Sequence, residues 1–251
     1  MKRIITVILS VILLVCLVGC SKQDAVLDET KTYEITSDIH SLCIQINAAD
    51  FKIEHRNEFS VESNLKYLSV SEKDGVLTIT DEAKSSIHYS NPVLTLYVPN
   101  GIVFDDVNIT TGAAKLTVDA LSTGSLELKL GAGDVRFESL QASLAADIKG
   151  GAGQITIASG TLNDLTLAMG VGELNFSGAL LGNSNLKLGV GEANLTLIGS
   201  KDDYTVAIEK GLGSISVDGK NVSDYGSNGN GQSHIHIEGG IGAAHIVFQE
   251  A

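Results

Sequence analysis

Two histidines alternate in the run Ser233-His234-Ile235-His236-Ile237, so a strand places both imidazoles on one face. Imidazole nitrogens ligate divalent transition metals, and Glu238 or His245 lies near enough in sequence to join His234 and His236. No third ligand stands at a recognisable spacing, so the pair reads first as solvent-facing residues of a half-buried strand. No metal or other cofactor is expected. His40, His55 and His88 are scattered and form no motif. A second chemical signal is the repeated Gly-x-Gly, a pattern that elsewhere cradles phosphates. A dinucleotide fingerprint needs a third glycine and a following helix, whereas Gly133 is followed by Asp134-Val135-Arg136 and another strand-like run. Calcium-binding nonapeptides need a liganding aspartate after Gly-Gly-x-Gly. Here Gly150-Gly151-Ala152-Gly153 is followed by Gln154-Ile155. No Gly-x-Ser-x-Gly nucleophile elbow occurs. Cys43 sits in the alternating run Leu42-Cys43-Ile44-Gln45-Ile46 and reads as a buried or half-buried strand residue rather than a nucleophile.

The glycines gain meaning from their spacing. They form the pairs Gly131/Gly133, Gly151/Gly153, Gly170/Gly172, Gly189/Gly191, Gly211/Gly213 and Gly240/Gly242, and the first members stand 20, 19, 19, 22 and 29 residues apart. A self-similar period near twenty marks stacked units that cannot bury their apolar faces alone. Side-chain parity flips across each pair: Leu126, Leu128 and Leu130 are even-numbered, Val135 and Phe137 odd; Leu165 and Leu167 are odd, Leu174 and Phe176 even. Strands alternate faces strictly, so each flip requires a bend or an extra residue at the glycines. The glycines therefore read as structural corners. The expected fold is all-β, a single-domain β-solenoid resembling a parallel β-helix, with rungs of about 19–20 residues and an irregular N-terminal β section. The alternative is an antiparallel β-sandwich in which each Gly-x-Gly tips a hairpin. In the N-terminal section 64–70 and 76–80 read as a hairpin about Asp74-Gly75, 81–90 as a loop, and 93–98 as a strand. The surplus of the last step falls in 219–232, which reads as a loop inserted on one exposed face. The polar tail after Phe248 reads as a blunt end to the stack.

Ahead of this domain, Lys2 and Arg3 precede an apolar run over 4–18, too short to span a bilayer, that ends in Leu17-Val18-Gly19-Cys20. The last four residues resemble the lipobox of bacterial lipoproteins. That resemblance implies a signal peptide over 1–19, cleavage before Cys20, acylation of the Cys20 thiol and, often, of the new N-terminus. Two acyl chains anchor stably where one does not. Residues 20–32 then read as a lipidated tether and 33–251 as the folded domain, on the extracytoplasmic face of a cell membrane. Without Lys2 and Arg3 the chain carries 15 basic against 30 acidic residues. That balance argues against nucleic acid and against adsorption onto anionic lipid through charge. With Cys16 removed and Cys20 acylated, Cys43 has no partner for a disulfide within the chain.

The unit Ile44-Gln45-Ile46-Asn47-Ala48-Ala49-Asp50-Phe51-Lys52-Ile53, the strand Gly75-Val76-Leu77-Thr78-Ile79, the element Leu94-Thr95-Leu96-Tyr97-Val98-Pro99-Asn100-Gly101 and the Gly-x-Gly-[Asp/Glu/Gln]-hydrophobic rungs together resemble the DUF4097 putative-adhesin family. The resemblance covers about 33–248. It implies a β-helical surface domain with no catalytic residues to carry over. The expected function is a non-enzymatic, membrane-anchored envelope lipoprotein, an adhesin-like scaffold for an unknown cell-wall, matrix or protein partner. The alternatives are a regulatory accessory protein of an envelope system and a carbohydrate-active β-helix enzyme. The enzyme would need acidic and basic side chains converging in a groove.

Overall fold

The computed structural model describes residues 23–25, 27–84, 87–223, 225–226 and 231–250. Cys20 and the segment read as a signal peptide lie outside them. Within them the chain is all-β, apart from one 3₁₀ turn at Lys201–Asp203, and its strands form one open sheet of 18 strands and a two-stranded ribbon.

Strand pairing follows the repeat. Val107 lies beside Leu126, Ala146 beside Leu165 and Val171 beside Val190, each in parallel and each 19 residues on. The partner of each strand is thus the same strand one repeat away, not the second arm of a hairpin at its own glycines. That excludes the antiparallel sandwich for the repeats. Pairing also continues around the corners, so two strands run unbroken over Lys115–Asn163 and Leu165–Leu181, instead of the short runs expected. The parity flip appears as burial: Leu126 and Leu128 before a corner and Val135 and Phe137 after it all point inward. A third inward-facing side follows in the same repeat, with Leu140 and Ala142, and is matched later by Leu162 and Leu180. Stacked copies of these three sides form one continuous aliphatic core. Burying such side chains is worth roughly 1.5–3 kcal/mol apiece, and this is what drives the repeats together.

The repeats are not stacked in sequence order at either end. Near the N-terminus, Ser41–Ile46 pairs with both Val76–Asp81 and Phe104–Ala113, so the earlier strand sits inside the later one. Asp50–Arg56 is likewise flanked by Val93–Pro99 and the start of Lys115–Asn163. At the other end, Ser233–Glu238 lies between Asn183–Lys187 and Tyr204–Glu209, and Ile241–Gln249 between Val190–Ile198 and Leu212–Val217. The last repeat in sequence is therefore an interior one. Val247 to Gln249 do not blunt the stack; they pair with Thr196 to Ile198.

Antiparallel strands close both ends. Leu68–Lys73 pairs back on Val76–Asp81 through Asp74 and Gly75, both at positive φ, as the Asp-Gly hairpin requires. Ser60–Ser63 covers Val93–Pro99, and Lys31–Glu34 covers Ser60–Ser63. Within 219–232 the described strands are also end caps rather than a loop on a face. Lys220–Val222 turns back on Leu212–Val217, and Tyr225–Gly226 pairs antiparallel with Tyr204–Glu209. The stretch read as a tether is partly strand, because Gln23–Ala25 pairs in parallel with Ile87–Tyr89 inside the segment read as a loop.

Asp218 fastens this terminal cap to the interior repeat. Its carboxylate accepts from the Phe248 N–H (3.1 Å) and the Lys201 ammonium (3.1 Å). Partial burial pushes its pKa up, but these two partners outweigh burial and hold it below the ordinary aspartate value. A depressed carboxylate stabilises the fold above its unfolded pKa, and that stability is lost as pH falls through the lower folded value. Asp218→Asn is thus expected to cost about 0.5–1 kcal/mol at pH 7, a figure kept small because solvent screens a side chain left 39% exposed. The deficit disappears in strong acid, where both chains carry a neutral side chain; urea midpoints at the two pH values check this.

Candidate functional site

With the interior filled by aliphatic side chains, chemistry can reside only on the outward positions and the corners. On the strands that lead into the corners, outward residues pair along the strand: Lys129 with Glu127, Lys149 with Asp147 (2.8 Å), and Lys187 across to Glu238 (3.0 Å). On the strands that leave the corners, Arg136 binds Glu138, and this guanidinium holds the Glu138 carboxyl below the usual carboxylate range. Side chains also join neighbouring repeats. Asn108 donates to Glu127, Gln154 to Glu173 (3.0 Å) and Asn194 to Asn175 (3.0 Å). In-register parallel stacking causes this, since each outward residue meets its counterpart 19 residues on at the strand spacing of about 4.8 Å. The result is a polar lattice in which Lys and Arg pair locally with carboxylates, while Glu173 and Glu192 stack in register and are held by Gln154, Asn175 and Asn194.

His234 is exposed and His236 half-buried, both on the outward face of Ser233–Glu238. His236 Nε2 lies 3.7 Å from Glu238 and 4.0 Å from Glu209, and Lys187 competes for the same Glu238 carboxylate. Among the described residues no cluster of three His, Cys, Asp or Glu side chains could hold a metal ion. His245, considered as a third ligand, lies on a different side of the repeat, its Nδ1 2.8 Å from Ser216 Oγ. Nothing in the sequence pairs these two; only the parallel register of Leu212–Val217 with Ile241–Gln249 does. In this pair Ser216 is buried and His245 exposed. Cys43 is exposed, because Leu42, Ile44 and Ile46 take the inward positions of its strand. The expectation that it is buried or half-buried is corrected by the same alternation.

The corner glycines form two ladders. A Cβ on Gly133, Gly153, Gly172 or Gly191 would fall on the carbonyl oxygen of Ala114, Gly133, Gly153 or Gly172 in the neighbouring repeat; Gly242 would meet Gly191, and Gly213 would meet Gly242. The first glycines stack likewise: Gly131 on Gly112, Gly151 on Gly131, Gly170 on Gly151, Gly189 on Gly170, Gly240 on Gly189 and Gly211 on Gly240. Both ladders repeat the interior position of the last repeat. Close backbone approach, with positive φ at Gly133, Gly153, Gly172, Gly191 and Gly242, is what these positions demand. The residue between each glycine pair points outward, and among these Val171, Val190, Leu212 and Ile241 are large and exposed.

Comparison with known proteins accords with this geometry. The family model described as Toastrack DUF4097 matches residues 22–242. A solved structure of a "putative adhesin" from Bacteroides fragilis NCTC 9343 is 12% identical, covers 86% of this chain and 95% of its own, and superposes with a TM-score of 0.50. A "putative adhesin" from Parabacteroides distasonis ATCC 8503 is 17% identical over 88% of this chain and 98% of its own, with a TM-score of 0.49. A "putative lipid binding protein" from the same organism gives 17%, 91%, 98% and 0.41. At these identities the Bacteroides likeness is one of fold alone, and the other two carry no argument. No curated protein matches the chain. The sequence motifs, the stacked glycine corners and a family model spanning most of the chain agree: this protein belongs to the DUF4097 (Toastrack) family.

Proposed function

We propose that the protein is a non-enzymatic binding scaffold of the cell envelope, a β-solenoid held at the membrane through a lipid on Cys20. The solenoid reading is supported by parallel pairing at a constant offset near 19 residues together with three inward-facing sides per repeat. The lipid reading is supported by the Lys2-Arg3 segment, the short apolar run and Leu17-Val18-Gly19-Cys20.

The observation that carries the scaffold reading is the repeating outward lattice of Gln154, Glu173, Asn175, Glu192 and Asn194. Its side chains are tied to one another at one-repeat spacing, as in Gln154 to Glu173 and Asn194 to Asn175, and along each strand, as in Asn175 to Glu173 (2.7 Å) and Asn194 to Glu192 (3.2 Å). Such a face is pre-ordered, so a partner with matching periodicity, a glycan strand or an extended protein, binds it with little further loss of entropy. Pairing of charges within strands, instead of their convergence, weighs against a carbohydrate-cleaving site.

The test is photo-crosslinking on intact cells followed by mass spectrometry, comparing the parent with the double variant Asn175→Ala, Asn194→Ala. Loss of the captured partner is expected in the variant. Identical capture by both chains would remove this face from the function. Cys20→Ala is expected to shift the protein out of the membrane fraction; unchanged fractionation would refute the anchor.

A further inference from the structure

The outward residues of the glycine corners change in size along the stack. Register places them in the spatial order Ala113, Ala132, Ala152, Val171, Val190, Ile241, Leu212. The four largest are 55%, 46%, 54% and 75% exposed in that order. Each of these four stands between two glycines, and together they form a contiguous apolar crest at a corner where both flanking strands turn their side chains inward. At about 4.8 Å per repeat, the crest from Ala113 to Leu212 is about 29 Å long. Contiguous exposed apolar surface of this kind marks a contact with a partner or a membrane.

The N-terminal segment leaves the fold at the small-residue end of the same edge. The corner 47–49 lies beside Ala113, whose N–H donates to the Asn47 carbonyl (2.7 Å). The Asn47 side-chain amide donates to the carbonyls of Asp81 and Ala83 (3.1 Å each), and the Asp50 N–H donates to the Pro92 carbonyl (2.9 Å). The 81–92 excursion thus leaves and rejoins the stack at this corner. Within it, Ile87–Tyr89 pairs with Gln23–Ala25. Only three peptide steps separate Gln23 from Cys20, a span of at most about 10 Å.

We infer that the corner crest is the membrane-facing edge of the protein, lying along the surface of the bilayer that the Cys20 lipid enters. This rests on the lipid-anchor reading above. The lipid fixes one end of the edge, and Val171, Val190, Ile241 and Leu212 dip into the interfacial region toward the other. A convex row of knobs suits a deformable lipid surface better than it suits a second copy, whose own crest is equally convex. Glu173 and Glu192 flank the crest on one side, and Lys129, Lys149 and Lys187, each paired with a carboxylate but partly exposed, flank it on the other. The lysine stems can lie along apolar surface while their charges stay at headgroup level. The formal charge of −13 makes apolar contact, not attraction to anionic lipid, the source of adhesion. Two weak attachments on one edge would hold the polar faces upright and free for partners.

The test uses the full acylated chain in liposomes. Single cysteines carrying an environment-sensitive fluorophore are placed at Val190, Ile241 and Leu212, with Gln141, an exposed residue on the third side, as control, all in a Cys43→Ser background. A several-fold rise in emission with a blue shift and quenching by brominated lipid is expected at the three crest positions and not at Gln141. In the combined Leu212→Asp, Ile241→Asp chain the Val190 signal is expected to fall to the Gln141 level, with the circular dichroism spectrum unchanged. A chain that does not float with the liposomes overturns the anchor and the crest together. A chain that floats, with crest probes as wet as Gln141, overturns the crest alone. Blue-shifted probes that brominated lipid does not quench, together with cross-linked dimers, assign the crest to a second copy and also overturn the proposal.

Discussion

Replacing Gly172 by alanine is expected to destabilise the fold by about 3–5 kcal/mol, read as a large drop in the urea midpoint of the far-ultraviolet circular dichroism signal. Two penalties combine. Gly172 holds φ at 140°, a conformation nearly closed to residues with a Cβ, and the added carbon falls on the carbonyl oxygen of Gly153. That oxygen belongs to backbone already paired on the neighbouring repeat, so it cannot swing aside as a flexible side chain could. Relief requires the two repeats to part, which opens the core around Leu174 and Ile155. Gly219→Ala supplies the contrast. Its φ is 74°, yet nothing lies within 4 Å of the place its Cβ would take, so only the left-handed conformation is penalised, by about 1 kcal/mol. Equal losses in the two variants would show that the ladder is set by conformation alone and not by close packing.

Ending the chain after Gln232 is expected to dismantle more than the residues it removes. Among the described residues, Ser233–Glu238 and Ile241–Gln249 are the only parallel neighbours of Tyr204–Glu209 and Leu212–Val217. Without them the 204–217 repeat faces a gap one repeat wide, and Leu195, Leu197, Val206, Ile208 and Ile215 lose cover. The deleted Ile235, Ile237 and Ile246 alone account for roughly 6 kcal/mol of apolar burial. Hydrogen exchange should therefore show lost protection over 204–217 as well as a shorter cooperative unit. If the C-terminus were only an end cap, 204–217 would keep its protection. The truncated chain is also expected to retain the repeats over 106–157, whose strand partners, Leu165 to Phe176 included, all lie ahead of the deleted segment.

The repeat architecture and the family were legible in the sequence because they rest on local rules. Leu126, Leu128, Val135 and Phe137 encode a parity flip whatever else surrounds them, and the glycines between them mark where a Cβ cannot fit. Cys43 was misread: the apolar run around it suggested a buried or half-buried residue, whereas the alternation of Leu42, Ile44 and Ile46 assigns it to the outer face. Other features depend on partners that the sequence does not name. Repeats of equal length pair in parallel equally well with any other, so nothing local places 233–249 between 183–198 and 204–217, or 41–56 inside 76–99. Only the closed set of tertiary contacts chooses among these orders, and that choice made Lys220–Val222 and Tyr225–Gly226 end-cap strands where a surface loop was expected. The Ser216–His245 pair, the Asp218 clasp and the graded crest from Ala113 to Leu212 all arise from the same choice. The sequence by itself determined what one repeat is and which way its side chains point. The tertiary structure decided which repeats are neighbours, because a parallel hydrogen-bond ladder specifies register within a pair but carries no label for the partner's identity.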